Sequence, residues 1–150
     1  EANELQRQMM IPKIEKLVGD LNGKQIGVLG LSFKPETDDM REAPSLVLID
    51  KLLEKGVTVC AYDPIAMHEA ERVLGNKIKY CKDMYEALIG ADALSVVTEW
   101  SEFRLPNFKV MAKLMNEKVL FDGRNIFDLD EIDDFDFVYY SIGRKPMNLV

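Results

Sequence analysis

Short apolar segments alternate with amphipathic segments along most of the chain, and turn residues separate them. Residues 25–31 form an almost continuous apolar run, as expected of a strand that is buried on both faces of a parallel sheet. Residues 45–55 follow with leucine, valine and isoleucine at helical spacing, and Gly56 supplies the usual helix end. The same patterns predict strands at 57–62, 78–80, 92–98, 118–121 and 135–139, and helices at 65–74, 84–89 and 108–115.

The alternation of strands and helices predicts an α/β fold. Strands separated by helical segments at this spacing favour a Rossmann-like open, mostly parallel sheet with helices on both faces. In such sheets ligands bind beyond the carboxyl ends of the strands, where the strand order reverses. The residues that directly follow each strand are therefore the candidates for function.

An amphipathic helix is predicted before the sheet. Leu5, Met9, Ile14 and Leu17 lie on one stripe that Pro12 interrupts. A turn at 19–23 separates this helix from the first strand. Since the chain begins without methionine, we expect it to be a piece of a longer protein, with residues 1–22 belonging to a preceding segment and residues 23–150 forming the domain.

Composition narrows the classes of function. With 150 residues and 47% hydrophobic content, the chain fits one domain with a real core. A formal charge of -7 argues against nucleic acid or an anionic membrane as a partner, and no apolar run is long enough to span a bilayer. No secretory signal is visible, so a cytoplasmic location is expected. Cys60 and Cys81 are expected to be buried, reduced thiols, and no metal site is predicted.

The loop after the first strand, residues 32–44, has the composition of an anion site. It is roughly twice the usual length for its position, and long loops in compact domains are usually functional. Lys34 and Arg41 are suited to phosphate, although four acidic residues accompany them. In that role Asp38 or Asp39 could orient Arg41 or cap a turn. Alternatively, both cations are solvated loop charges paired with neighbouring acids. Neither a G-x-G-x-x-G fingerprint nor a phosphate loop is present.

Other strand ends add candidates. Asp63 follows the second strand and could accept a ribose hydroxyl or form the turn before Pro64. Trp100 lies after the fourth strand and could stack on a base, although packing is the commoner role of such a residue. Arg124 lies after the fifth strand, beside a glycine. Cations from two separate strand ends are what is needed to hold a diphosphate.

Four motifs in order resemble a known family, and the resemblance runs from about residue 24 to residue 127. The chain resembles the C-terminal domain of the UDP-glucose/GDP-mannose dehydrogenase family, most closely its bacterial UDP-glucose 6-dehydrogenase members. The motifs are GLSFKPETDDMREAPS at 30–45, YDP at 62–64, TEW at 98–100 and FDGRN at 121–125.

The resemblance implies a function and a set of roles. It implies an enzyme that oxidises UDP-glucose to UDP-glucuronate with two NAD, and in which this domain binds the UDP moiety. By position, Phe33, Lys34 and Arg124 match substrate-binding residues, and Arg41 matches an arginine that reaches toward NAD. Residues 1–22 match the end of a central dimerisation helix, so a homodimer or larger assembly is expected.

The resemblance also implies what this chain lacks. The family's catalytic cysteine motif and NAD fingerprint belong to central and N-terminal domains, so no residue here is expected to be catalytic and NAD is held mainly by those absent domains. The isolated fragment is expected to be inactive. Alternatives are a GDP-mannose or UDP-N-acetylhexosamine dehydrogenase, a noncatalytic subunit-interaction domain, and an NAD-binding domain, which the missing fingerprint disfavours.

Overall fold

The computed structural model describes residues 11–148, which form one parallel sheet covered by helices on both faces. The strands are β1 (Gln25–Leu29), β2 (Thr58–Tyr62), β3 (Lys79–Tyr80), β4 (Ala93–Val96), β5 (Val119–Asp122) and β6 (Val138–Ser141). The helices are α1 (11–18), α2 (Pro44–Glu54), α3 (Met67–Leu74), α4 (Phe108–Leu114) and α5 (Leu129–Asp134). Short 3₁₀ turns occupy Gly75–Lys77, Glu86–Leu88 and Ser101–Phe103. No helix in this described part of the chain is long and apolar enough to cross a membrane.

The strand order is β3-β2-β1-β4-β5-β6, and every pair of neighbouring strands is parallel. The predicted open parallel sheet is therefore confirmed, and so is a preceding helix at 11–18; Leu5 and Met9 of the predicted helical stripe lie outside the described residues. The order reverses between β1 and β4, because the chain moves outward from β1 through β2 to β3 and then returns to the other side of β1. Ligands of such sheets bind above this point, at the carboxyl ends of the strands.

Two apolar cores lie on opposite faces of the sheet. Helices α1, α2 and α3 pack on one face, where Ile14 and Ile49 are fully buried against Val28. The turn Glu86–Leu88 and helices α4 and α5 pack on the other face. The sheet is thus buried on both sides, which explains why β1 and β4 are almost uniformly apolar.

The predicted sixth strand, 135–139, is displaced to Val138–Ser141, because Phe135 ends α5. Two further elements differ in type from the sequence prediction. The predicted helix at 84–89 is only the 3₁₀ turn Glu86–Leu88, because it lies directly on β1: a Cβ at Gly27 would be 2.8 Å from the carbonyl oxygen of Ala87. Helix α5 was not predicted, because it lies in a run of acidic residues that hides its apolar positions. Asp128 begins this helix by accepting hydrogen bonds from the backbone N–H groups of Asp130 and Glu131.

Candidate functional site

The carboxyl ends of β1 and β4 are joined directly to each other. The backbone N–H of Val97 donates to the carbonyl of Leu29 at 2.9 Å, and the Thr98 hydroxyl donates to the carbonyl of Ser32 at 2.8 Å. Gly30 permits this approach, since a Cβ there would lie 2.5 Å from the Cβ of Thr98 and its φ is +91°. The loop after β1 therefore starts pressed against the end of β4.

A buried carboxylate holds the same region from the other side. Asp63, only 1% exposed, accepts the backbone N–H groups of Leu31 at 2.7 Å and Ser32 at 3.1 Å through Oδ2. The indole N–H of Trp100 donates to that oxygen at 3.2 Å. The other oxygen, Oδ1, accepts the N–H groups of Ile65 and Ala66 at 2.9 and 2.8 Å. Asp63 thus ties together the segments that follow β1, β2 and β4.

These contacts decide between the two interpretations of Asp63 and of Trp100. The Asp63 oxygens already accept five N–H groups inside the protein, so the turn-forming interpretation is supported and the ribose acceptor is not. Trp100 is buried in the second core, which supports packing rather than base stacking. Both residues are buried beneath the start of the loop after β1 and support it there.

Phe33 and Lys34 lie at the surface of the loop after β1. The backbone N–H of Phe33 donates to the carbonyl of Asp39 at 2.8 Å, which closes the loop, and the Phe33 ring is 47% exposed. The carbonyl of Lys34 accepts the Ser32 hydroxyl at 2.8 Å, so its backbone is fixed. The Lys34 side chain is exposed and makes no ion pair within 4 Å among residues 11–148. An exposed cation on a fixed backbone is available for an anionic ligand.

Arg41 is held in a different part of the loop. Its Nε and Nη2 donate to the two carboxylate oxygens of Asp39 at 3.0 and 2.9 Å, and its side chain is 89% exposed. The guanidinium lowers the pKa of Asp39 to about 2 by hydrogen bonding. Of the two acids considered for orienting Arg41, Asp39 does so.

The surroundings of Arg41 differ from those of the other two cations. Arg41 lines an open cleft of about 540 Å³ between the loop and helix α3, and Glu69 and Val73 of α3 form the opposite wall of this cleft. Neither Lys34 nor Arg124 lines this cleft. Arg41 thus lines a cleft that neither of the other two cations shares.

Arg124 follows β5 in a turn that a second buried carboxylate organises. Asp122 accepts the N–H of Arg124 at 3.1 Å through Oδ1, and through Oδ2 it accepts the N–H groups of Ile126 and Phe127 and the Tyr139 hydroxyl at 2.7 Å. Burial raises the pKa of Tyr139, and the Asp122 charge raises it further, so the phenol stays a donor. This network was not predicted from the sequence.

The Arg124 side chain reaches across to the end of β4. Its Nε donates to the carbonyl of Val97 at 3.0 Å and lies 3.3 Å from Oε2 of Glu99. The side chain is 24% exposed, so the guanidinium is oriented yet open to solvent. Glu99 was not predicted from the sequence, because only the register of β4 and β5 brings it beside Arg124.

Consecutive residues at the end of β4 therefore contact both segments that carry the predicted substrate-binding residues. Val97 and Glu99 contact Arg124, and Thr98 between them contacts the segment that carries Phe33 and Lys34.

The backbone around these residues has several non-glycine positions with positive φ. Asn125, beside Arg124, has a φ of 59°, and the loop after β1 has two more such positions, Glu36 and Glu42 at 68° and 53°. Backbone strain of this kind concentrates at functional sites.

Comparison with known proteins identifies the family of the chain. The sequence model of the family described as UDP-glucose/GDP-mannose dehydrogenase family, UDP binding domain, matches residues 27–129. UDP-glucose 6-dehydrogenase TuaD of Bacillus subtilis (strain 168) is 41% identical over 147 residues, which cover 98% of this chain and 32% of that protein. The chain spans about a third of the length of the curated relatives it matches.

Solved structures give the same result. A UDP-glucose dehydrogenase from the hyperthermophilic archaeon Pyrobaculum islandicum superposes with a TM-score of 0.73 at 33% identity, covering 82% of this chain and 27% of that one. An NDP-N-acetyl-D-galactosaminuronic acid dehydrogenase from Methanosarcina mazei Go1 superposes with a TM-score of 0.79 at 25% identity, covering 97% and 30%. The family model over residues 27–129 and the relative at 41% identity establish that the chain belongs to the UDP-glucose/GDP-mannose dehydrogenase family and carries its UDP binding domain.

Proposed function

We propose that this chain holds the UDP moiety of UDP-glucose for an NAD-dependent UDP-glucose 6-dehydrogenase, which converts the C6 alcohol to a carboxylate in two oxidation steps. The observation that carries the proposal is the convergence of Arg124 and the Ser32–Lys34 segment on the end of β4. A diphosphate is dianionic, and two cations from separate strand ends can contact it from two sides. Such binding at the nucleotide orients the reacting sugar carbon elsewhere.

The proposed roles follow from how each side chain is held. Lys34 and Arg124 bind the phosphates, and the exposed ring of Phe33 covers the nucleotide. Glu99 orients Arg124 through the contact at Nε. Arg41 lies in its own cleft beside α3 and reaches toward NAD, which is held mainly by domains outside this chain.

The same proposal assigns residues 1–22 to the end of a central dimerisation helix. Its described part, α1, buries Ile11 and Ile14 in the first core. The described part of this segment is therefore fixed to the sheet of the domain. A homodimer or larger assembly of the full-length protein belongs to the proposal as well.

Titration calorimetry with UDP tests the binding role. We expect the 150-residue chain to bind UDP, and either Lys34→Ala or Arg124→Ala to weaken binding about 10- to 150-fold, since a charge-assisted contact contributes roughly 1.5 to 3 kcal/mol. Lys113→Ala is the matched control: it removes an exposed lysine from the last turn of α4, at the opposite edge of the sheet. Equal affinities in all four proteins would contradict the assignment. No heat with millimolar UDP would favour a noncatalytic subunit-interaction domain.

Activity is tested separately from binding. We expect no NADH from UDP-glucose and NAD with the isolated chain, because no residue in it is assigned a catalytic role. Production of NADH by the purified chain would contradict this.

A second candidate function is the oxidation of a UDP-N-acetylhexosamine, which the superposition on the Methanosarcina mazei Go1 enzyme favours. Competition among UDP-glucose, UDP-N-acetylhexosamines and GDP-mannose for binding to the chain shows whether it prefers uracil or guanine. The turnover rates of the same nucleotide sugars with the full-length enzyme show which sugar is oxidised.

A further inference from the structure

Two cysteines lie side by side at the edge of the sheet, outside the residues of the candidate nucleotide site. Cys60 belongs to β2, and Cys81 directly follows the edge strand β3. The parallel register pairs Cys60 with Lys79, so Cys81, two residues further on, lies on the same face of the sheet. The backbone N–H of Cys81 donates to the carbonyl of Ala61 at 2.8 Å, which fixes this position. The two cysteines are thus neighbours on one face of the sheet, and both belong to the second apolar core.

The surroundings make the two sulfurs chemically different. The neighbouring Cys81 side chain lowers the pKa of Cys60 to about 7, and the Lys79 ammonium adds to the effect, while burial and the Glu86 carboxylate oppose it. The pKa of Cys81 is raised by the neighbouring Cys60 side chain, by burial and by the charges of Cys60, Glu86 and Asp83. Cys60 is thus the more acidic of the two thiols, and a substantial fraction of it is thiolate at neutral pH, beside a thiol that keeps its proton.

Solvent reaches the pair through a surface cleft. Cys60 and Cys81 are 5% and 7% exposed, and both line an open cleft of about 540 Å³. Its other walls are Gln25, Lys79, Tyr80, Glu86 and Ile89. Small reagents can therefore reach sulfurs that large ones cannot. A thiolate with a neighbouring thiol and access for small molecules is the arrangement of a reversible oxidation site.

We propose that Cys60 and Cys81 form a peroxide-sensitive thiol pair that closes to an intramolecular disulfide. The Cys60 thiolate attacks one peroxide oxygen and breaks the O–O bond, which leaves a sulfenic acid and, for hydrogen peroxide, water after protonation. The Cys81 sulfur then attacks the sulfenic sulfur, loses its proton, and expels the hydroxyl as water. One peroxide thereby takes two electrons from the two thiols. An external dithiol reverses the reaction by exchange.

The test uses the 150-residue chain, whose only cysteines are these two. The chain is treated with one equivalent of hydrogen peroxide, alkylated and digested with trypsin. We expect both thiols to disappear together in a monomeric product, with peptide 56–72 joined to peptide 80–82 and both thiols restored by dithiothreitol. Disulfide-linked dimers alone, or two free thiols in the native chain under conditions that oxidise the denatured chain, would overturn the proposal.

Two variants separate the roles of the sulfurs. Cys81→Ser should leave a Cys60 sulfenic acid that dimedone traps, because no thiol remains to displace it. Cys60→Ser should lower the rate of reaction with peroxide at least about tenfold, since the remaining thiol stays protonated. Equal rates in the two variants would overturn the order of attack.

The wild-type chain gives a measurement that does not depend on either variant folding. Alkylation by a small reagent should reach half its maximal rate near pH 7, and Lys79→Gln, at an exposed position, should move this midpoint upward. A wild-type midpoint above the ordinary thiol value of about 8.5 would overturn the proposal.

Discussion

Replacing Asp63 by asparagine should destabilise the domain strongly although the side chain keeps its size. Each carboxylate oxygen accepts at least two N–H groups: Oδ1 those of Ile65 and Ala66, and Oδ2 those of Leu31, Ser32 and the Trp100 indole. An asparagine NH₂ group must replace one of these oxygens, so in either orientation it faces at least two N–H donors.

The magnitude follows from this count. Hydrogen bonds to a charged group contribute roughly 1.5 to 3 kcal/mol each, so the loss of two costs about 3 to 6 kcal/mol. For a domain of this length that corresponds to a fall in melting temperature of roughly 6 to 24 °C. Leu31 and Ser32 begin the loop that carries Lys34, so UDP binding should weaken too, even under conditions where the variant is fully folded.

The assay is urea unfolding followed by circular dichroism, with calorimetric titration of UDP on the same samples. Asp50→Asn is the matched control, because it makes the same chemical change at an exposed position of α2. We expect the control to lie within about 0.5 kcal/mol of the wild type. A loss below about 1 kcal/mol for Asp63→Asn, with unchanged UDP affinity, would refute the reasoning that this carboxylate organises the site.

Two further predictions concern the loop after β1. Gly30→Ala should lower the free energy of unfolding by more than the roughly 1 to 3 kcal/mol that a positive φ costs a non-glycine residue, because the new Cβ would also overlap Thr98. Gly19→Ala is the control: its φ is +88° and nothing lies within 4 Å of the new Cβ, so only the backbone cost applies. Equal unfolding free energies for the two variants would contradict this. The carboxyl of Asp39 should titrate near pH 2 in ¹³C NMR, because Arg41 stabilises its ionised form. The stability that it contributes is complete above its ordinary value of 3.8 and is lost as the pH falls through about 2, and Arg41→Gln should return the titration toward 3.8.

The sheet was largely predictable because its strands are buried on both faces and therefore read as continuous apolar runs. The predicted first strand was two residues too long, since β1 ends at Leu29, where the loop turns toward β4. Helix α5 and the Glu86–Leu88 turn were not predictable in the same way. Hydrogen bonds from nearby backbone N–H groups to the Asp128 and Asp83 side chains hold them, and acidic residues carry no apolar periodicity.

The candidate site was predictable only in outline. Strand ends located the segments that carry Lys34 and Arg124, because parallel strands all end at one edge of the sheet. The atoms that orient these segments were not predictable. Val97 and Glu99 lie more than twenty residues from Arg124 in sequence, and Asp63 accepts from a tryptophan 37 positions away. Such contacts depend on the register between strands, which a single sequence does not give.

The seating of α1 has a mechanical consequence. Ile11 and Ile14 are buried in the first core, Lys13 contacts the Tyr140 hydroxyl and ring on β6, and Glu15 pairs with Lys55 just beyond α2. Burying two isoleucines contributes about 3 to 6 kcal/mol, which is far above thermal energy. A force applied through the polypeptide upstream of α1 would therefore turn the whole sheet as one rigid body rather than swivel the helix against it.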